Sequence, residues 1–301
     1  MDMRVLVVIV TYNALRHDWI KKCLQSIEQS SIIPDVFIVD NNSTDETRSY
    51  IKAQSRHYIL HQFDQNFGFG KANNLGLEYA LKYNYDYVFL INQDVYLERN
   101  TIETLLKLDY ESYGIISPLQ CDGQGNKIDE DFLEFLGPGR CKDFLSDGIL
   151  GNFKDKIYSC DFVMGAAWFM PISTVKKIGG FSRYFFQYGE DENYCHRVLR
   201  RGLKIGIYPK CKVYHDRHKQ QELYFNTVEG PYRHHVIQIL NPMLKSYRFR
   251  YKSVVLLYYI SAWIIGDKDK QKIYSKLYNF LKEMNDINKV IAETKLEFRT
   301  I

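Results

Sequence analysis

The first hundred residues switch repeatedly between two periodicities. Arg4–Thr11 is continuously apolar and β-branched, the pattern of a parallel strand buried on both faces. His17–Ser30 then places Ile20, Cys23, Leu24 and Ile27 at helical spacing. Asp35–Asp40 and Tyr87–Ile91 repeat the strand pattern, and Tyr58–His61 reads as a shorter one. Ser43-Thr44-Asp45-Glu46 has the form of a capping box opening a second helix, and Asn66–Gly76 reads as a Gly/Asn loop entering a third. Strands and helices alternating over short connections predict a doubly wound α/β sheet. In such a sheet the ligand crevice lies beyond the carboxyl ends of the strands, where Asn13, Asp40 and Asp94 fall.

Beyond Gly114–Pro118, one more expected strand, residues 119–158 have weak periodicity and read as an excursion from the sheet. Phe162–Met170 restores the pattern and Pro171 suits the first turn of a helix. Glu190–Arg201 reads as helix and Leu203–Tyr208 as strand. From about Val228 the chain reads as helical, which predicts a body over residues 1–227 and a C-terminal helical region over 228–301.

Charge sharpens that division. The chain of 301 residues carries +4 overall, yet residues 241–301 hold 12 Lys/Arg against 6 Asp/Glu, leaving −2 for the rest. A nucleic-acid protein would more often carry its basic stripe on the folded core, so no nucleic-acid partner is expected. The basic tail is either a solvated face or an attraction to an anionic membrane surface. Within it, the twelve-residue run Val254–Ile265 is too short to span a bilayer. It either lies in the membrane interface, or packs on the body or on a second subunit as in a homodimer. Six cysteines without a C-x-x-C pair argue against a zinc ribbon or a disulfide framework, and the expectation is a reducing, cytoplasmic setting, peripheral at most on the inner membrane face.

Each polar cluster also has a plain structural reading. The loop Asn66–Gly76 lacks the GK[ST] of a Walker loop and does not follow the first strand as a dinucleotide fingerprint would. Asp40 and Asp94 could be ordinary strand-end turns. A lone carboxylate such as Asp94 holds a divalent cation only if diphosphate oxygens and water complete the shell. Glu190-Asp191-Glu192 suits a helix N-terminus, but the aromatic wall Tyr184–Tyr188 before it also suits a general base of raised pKa. His215 alone is more often a structural histidine than a ligand.

Taken together, Val8–Asn13, Asp40–Asp45, Asn66–Asn74, Asn92-Gln93-Asp94, Gly189–Glu192 and Val213-Tyr214-His215 resemble the family 2 glycosyltransferases of the GT-A fold, most closely the rhamnosyltransferase-like members. The resemblance spans about residues 4–220. It implies a GT-A nucleotide-sugar-binding fold, a doubly wound mixed sheet flanked by helices with a C-terminal helical region. It further implies that Thr11, Asn13, Asp40, Asn66, Gly70, Asn73 and Asn92 bind the donor nucleotide, that Asp94 and His215 hold Mg2+ or Mn2+, and that Asp191, with Glu190 beside it, supplies the catalytic base. The family's D-x-D element reads Asn-Gln-Asp here, without its first carboxylate. The implied reaction is inverting transfer of a sugar, L-rhamnose from dTDP-rhamnose by the nearest likeness, to a growing glycan or lipid-linked acceptor. The alternatives are a UDP-hexose or UDP-galactofuranose donor, or a non-catalytic nucleotide-sugar-binding protein.

Overall fold

The structure is a computed structural model describing residues 3–54, 58–217, 228–244 and 251–284. It divides into two compact units, with the boundary at Arg217/His218. In the body the strands are β1 (Val5–Thr11), β2 (Asp35–Asp40), β3 (Ile59–Gln62), β4 (Tyr87–Asn92), β5 (Val95–Leu97), β6 (Tyr113–Asp122), β7 (Tyr158–Cys160), β8 (Ala167–Pro171) and β9 (Lys204–His215). The helices are α1 (Trp19–Glu28), α2 (Thr47–Lys52), α3 (Phe69–Lys82), α4 (Thr101–Leu106), α5 (Glu130–Leu133), α6 (Phe144–Ile149), α7 (Ile172–Ile178) and α8 (Glu190–Arg200). The second unit contains α9 (Glu229–Leu240), α10 (Tyr251–Ile265) and α11 (Lys268–Glu283).

One mixed sheet runs in the order β3-β2-β1-β4-β8-β6-β9-β5, with β7 paired to β9. β3, β2, β1 and β4 are mutually parallel, and β8 enters antiparallel to β4. The apolar runs explain the layering. Along β1, Val5, Val7 and Ile9 pack with Ile20, Leu24 and Ile27 of α1, while Leu6 and Val8 join the opposite core with Leu77 and Trp168. A strand of period two that is apolar at every position must be covered on both sides, and here it is.

Two local expectations shift. The Ser43–Glu46 segment is not a capping box: α2 begins at Thr47, and Ser43 donates its hydroxyl to Asp40 instead. β6 and β9 run further than their apolar cores suggested, to Asp122 and His215, because they pair with each other along that whole length. That extension carries His215 to the rim of the sheet.

Candidate active site

Because β1, β2 and β4 are parallel and in register, Thr11 lies opposite Asp40 and Val10 opposite Asn92, so all three strands end on one rim. Asp40 is fully buried. Its Oδ2 accepts from Thr11 Oγ1 (3.1 Å) and Ser43 Oγ, and its Oδ1 accepts from Ser43 N (2.9 Å) and Arg48 Nε. Asn13, at φ 49°, accepts at Oδ1 from Thr44 N at 2.8 Å, tying the loop after β1 to the loop after β2. Gln93 clasps Tyr12 through both backbone atoms, accepting from its N at 2.7 Å and donating to its O at 3.2 Å. The structure thus gathers Thr11, Asn13 and Asp40, and it engages Asp40's oxygens within the chain. Tyr12 stands out beside them, 46% exposed.

The glycine loop is explained by packing. Gly68 has φ +83°, and a Cβ there would lie 1.9 Å from the carbonyl oxygen of Phe186. Phe69 N donates to that same oxygen at 3.1 Å. At Gly70 a Cβ would meet Phe181 Cβ at 2.9 Å and Glu190 Cβ at 3.5 Å. The side chains expected to face a nucleotide are used locally. Asn66 Oδ1 accepts from Asn41 Nδ2 (2.8 Å) and Gly68 N (2.9 Å), and buried Asn73 donates to Phe69 O (3.1 Å). The glycines let the aromatic segment before Asp191 lie directly on the start of α3.

That segment ends at Gly189, whose φ of 90° lets the chain turn into α8. Asp191 is half-buried in the first turn, where the helix dipole favours a carboxylate. Its Oδ1 accepts from Glu192 N at 2.8 Å and its Oδ2 from Gly165 N at 3.4 Å. Burial pushes the Asp191 pKa above the ordinary aspartate value, against the pull of these backbone N–H groups. Glu192 is likewise raised, by burial first and then by Asp191's charge. Glu190 is buried against Gly70.

Residues 163–166 tie this base to the rim. Gly165 donates to Asp191, Ala166 O accepts from Asn92 N (3.0 Å), and Met164 Sδ accepts from Arg217 Nη2 (3.2 Å). Asn92 Oδ1 is buried and has no hydrogen-bond partner among the described residues.

Antiparallel pairing of β5 with β9 sets Val95 against His215 and so brings Asp94 to the histidine, with Asp94 Oδ1 3.5 Å from His215 Nε2. On the other side of the ring, Nδ1 is 3.2 Å from Asp129 Oδ2. Arg217 Nε lies 3.1 Å from the same ring nitrogen and 3.0 Å from the same Asp129 oxygen; with Nδ1 protonated, Nδ1 donates to Asp129 and Arg217 pairs with that carboxylate. Asp129 Oδ1 meanwhile caps α5 by accepting from Phe132 N at 2.9 Å. Burial alone would lower the His215 pKa; the charges of Asp94 and Asp129 outweigh it and the net shift is upward. Asp129 is correspondingly held below the usual carboxylate value, against its own burial, by His215 and Arg217.

Asp94 and His215 supply an oxygen and a nitrogen donor side by side, the types that Mg2+ and Mn2+ accept. Among the described residues no group of three or more His, Cys, Asp or Glu is arranged to hold a metal. The pair therefore fits a cation whose remaining positions are filled by diphosphate oxygens and water. Asp129 and Arg217 had no signal in the sequence: one lies in the segment of weak periodicity, and the other is one of many surface-type arginines.

A mixed sheet with its polar residues collected at the ends of β1, β2 and β4 defines the GT-A class of nucleotide-sugar folds. Residues 6–130 match the family model of glycosyl transferase family 2. Two curated relatives are similar. The hexosyltransferase Agl10 of low-salt glycan biosynthesis in Haloferax volcanii is 28% identical over 193 residues, 62% of this chain and 60% of that protein. Rhamnosyltransferase WbbL of Escherichia coli K12 is 24% identical over 237 residues, 74% of this chain and 87% of that one. The match thus spans about three fifths of the length of the Haloferax relative. Among solved structures, S. aureus TarS 1–349 in complex with UDP-GlcNAc superposes with a TM-score of 0.59 at 17% identity, over 97% of this chain and 88% of that one. The mannosyltransferase PcManGT of Pyrobaculum calidifontis, in complex with GDP-Man and Mn2+, gives 0.56 at 18% identity, over 98% and 74%. These likenesses establish the fold.

Proposed function

We propose that the protein is an inverting glycosyltransferase that moves a hexosyl group, L-rhamnose from dTDP-rhamnose in the first instance, onto a growing glycan or lipid-linked acceptor. The observation that carries this reading is Asp191. It is a half-buried carboxylate of raised pKa, held by two backbone N–H groups and joined through residues 163–166 to the strand-end rim. Asp191 accepts the proton of the acceptor hydroxyl as that oxygen attacks the anomeric carbon from the face opposite the leaving diphosphate, so the configuration inverts. Glu190, buried behind it, packs the segment in place rather than reaching the reacting atoms.

Asp94 and His215 hold Mg2+ or Mn2+, which when bound neutralises charge on the departing nucleoside diphosphate. Asp129 positions His215 by fixing its Nδ1–H, leaving Nε2 directed to the Asp94 side. Thr11, Asn13 and Asp40 act by shaping the nucleotide end of the rim, with Tyr12 as its exposed aromatic surface. Asn92, at the end of β4, keeps a buried acceptor without a hydrogen-bond partner among the described residues.

WbbL's description as a rhamnosyltransferase favours the rhamnosyl donor, while TarS with UDP-GlcNAc and PcManGT with GDP-Man keep UDP- and GDP-sugars in the comparison. A lipid-linked acceptor would place the protein at the inner face of a membrane. The test is thermal unfolding with dTDP-rhamnose, UDP-hexoses, UDP-galactofuranose and GDP-mannose, with and without Mn2+. The true donor at a hundred times its Kd adds about 2.7 kcal/mol of stability. No response to any of them would reject the transferase reading in favour of a protein that has lost nucleotide-sugar binding.

A further inference from the structure

In the second unit, α10 and α11 have opposite characters. α10 packs through Val255 and Ala262, both nearly inaccessible, and Tyr258 and Tyr259 stack on Tyr274 and Tyr278 of α11. α11 then turns Lys268, Lys272, Lys276 and Lys282 to solvent, as a surface helix should. The outer side of α10 does the reverse. Leu256, Leu257, Ile260, Trp263 and Ile264 are exposed by 42–81%, and at 3.6 residues per turn they share an arc of about 120°. A contiguous apolar stripe of this kind marks a contact surface.

Three occupants are conceivable, and charge selects among them. Lys245, Arg248, Arg250 and Lys252 precede the stripe in the chain, and Lys268, Lys270 and Lys272 follow it against Asp267 and Asp269. Both ends are therefore net positive. A second copy paired in either direction would set cations against cations, whereas anionic headgroups complement both ends. Spanning is excluded by length: fifteen residues reach about 22 Å against a hydrocarbon core of ~30 Å, and no described helix is long and apolar enough to cross.

We propose that α10 docks lengthwise on an anionic membrane surface, with Leu256, Leu257, Ile260, Trp263 and Ile264 entering the interface and the net positive charge of the surrounding sequence favouring anionic lipid. The inference rests on exposure and charge alone and stands whether or not the donor assignment above is right.

Flotation of the full chain with vesicles tests it, using phosphatidylcholine alone or mixed with phosphatidylglycerol, at low and high salt. The protein should float with the anionic vesicles, and each cation at the surface should raise the partition by about fivefold, an effect that high salt removes. The double variant Leu257→Glu/Ile264→Glu should lower the partition by at least about a hundredfold while keeping its thermal transition. Lys268→Glu/Lys272→Glu, which leaves the stripe intact, should weaken the preference for anionic lipid by at least about twentyfold. Three results would overturn the proposal: no flotation, equal flotation with neutral vesicles, or unaltered binding by both variants. A dimer in light scattering that Leu257→Glu/Ile264→Glu dissociates, without lipid binding, would assign the stripe to a second copy instead.

Discussion

Gly68→Ala tests whether the glycine loop serves packing. Gly68 sits at φ 83° and ψ 170°, a region that residues with a side chain enter at a cost of about 1–3 kcal/mol. The new methyl would also stand 1.9 Å from Phe186 O and 2.8 Å from Phe186 C, backbone atoms that cannot rotate away. Overpacking of that kind costs about 1–3 kcal/mol, and separating Phe69 N from Phe186 O costs about 0.5–1.5 kcal/mol more. Restricting the unfolded chain returns about 0.4–1 kcal/mol. The expected net loss is about 1.5–7 kcal/mol, which lowers Tm by about 2–4 °C for each kcal/mol. Urea unfolding followed by circular dichroism measures it, with Gly137→Ala as control, because a Cβ at Gly137 meets nothing within 4 Å. Phe186 is three residues before the Gly189 turn that aims Asp191, so turnover should fall together with stability. If Gly68→Ala unfolds at the same urea concentration as the Gly137→Ala control and turns over normally, the packing account is wrong.

Two further predictions concern ionised groups. Asp129→Ser keeps a good N-cap for α5 but is too short to reach His215; it should weaken Mn2+ binding in the presence of nucleoside diphosphate by about 10–100-fold, read by electron paramagnetic resonance below Tm, and it should also lower Tm, because the buried charges of His215 and Arg217 lose their partner. Unaltered Mn2+ affinity would leave Asp129 a helix cap and nothing more. For Asp191, a folded-state pKa above the unfolded one means that its contribution to stability is present at low pH and lost as pH rises through the folded value. Asp191→Asn should therefore be at least as stable as the parent at neutral pH, and the acid limb of the parent's rate profile should lie above the ordinary aspartate range. A variant markedly less stable at pH 7 would make Asp191 a structural carboxylate.

How much of this was legible in the sequence depends on the range of the interactions involved. The apolar runs of β1, β2 and β4 announced a doubly wound sheet and placed Asn13, Asp40 and Asp94 near strand ends, because burial on both faces leaves a direct imprint on composition. What those residues bond to was not legible. Ser43 from the loop after β2 and Arg48 from α2 reach Asp40, and that use of Ser43 is why the expected capping box does not form. Glycines in a loop before a helix look alike whether they admit a phosphate or a backbone. Only the position of Phe186 separates the two. Asp129 needed β6 and β9 to run in parallel to their ends before it could meet His215, 86 residues later. The apolar run of α10 was plain as a helix, while the face it leaves in water appears only once α11 is in place.

The central claim is that Asp191 is the base of a glycosyl transfer, and donor turnover by Asp191→Asn tests it most directly. With the nucleotide sugar that stabilises the parent, release of nucleoside diphosphate is followed for both proteins, and donor Kd is measured by calorimetry in parallel. The expected result is a rate lower by about 10²–10⁴ with Kd within about twofold of the parent. An Asn variant that turns over donor at the parental rate, with Kd unchanged, would contradict the claim and move the base to another carboxylate.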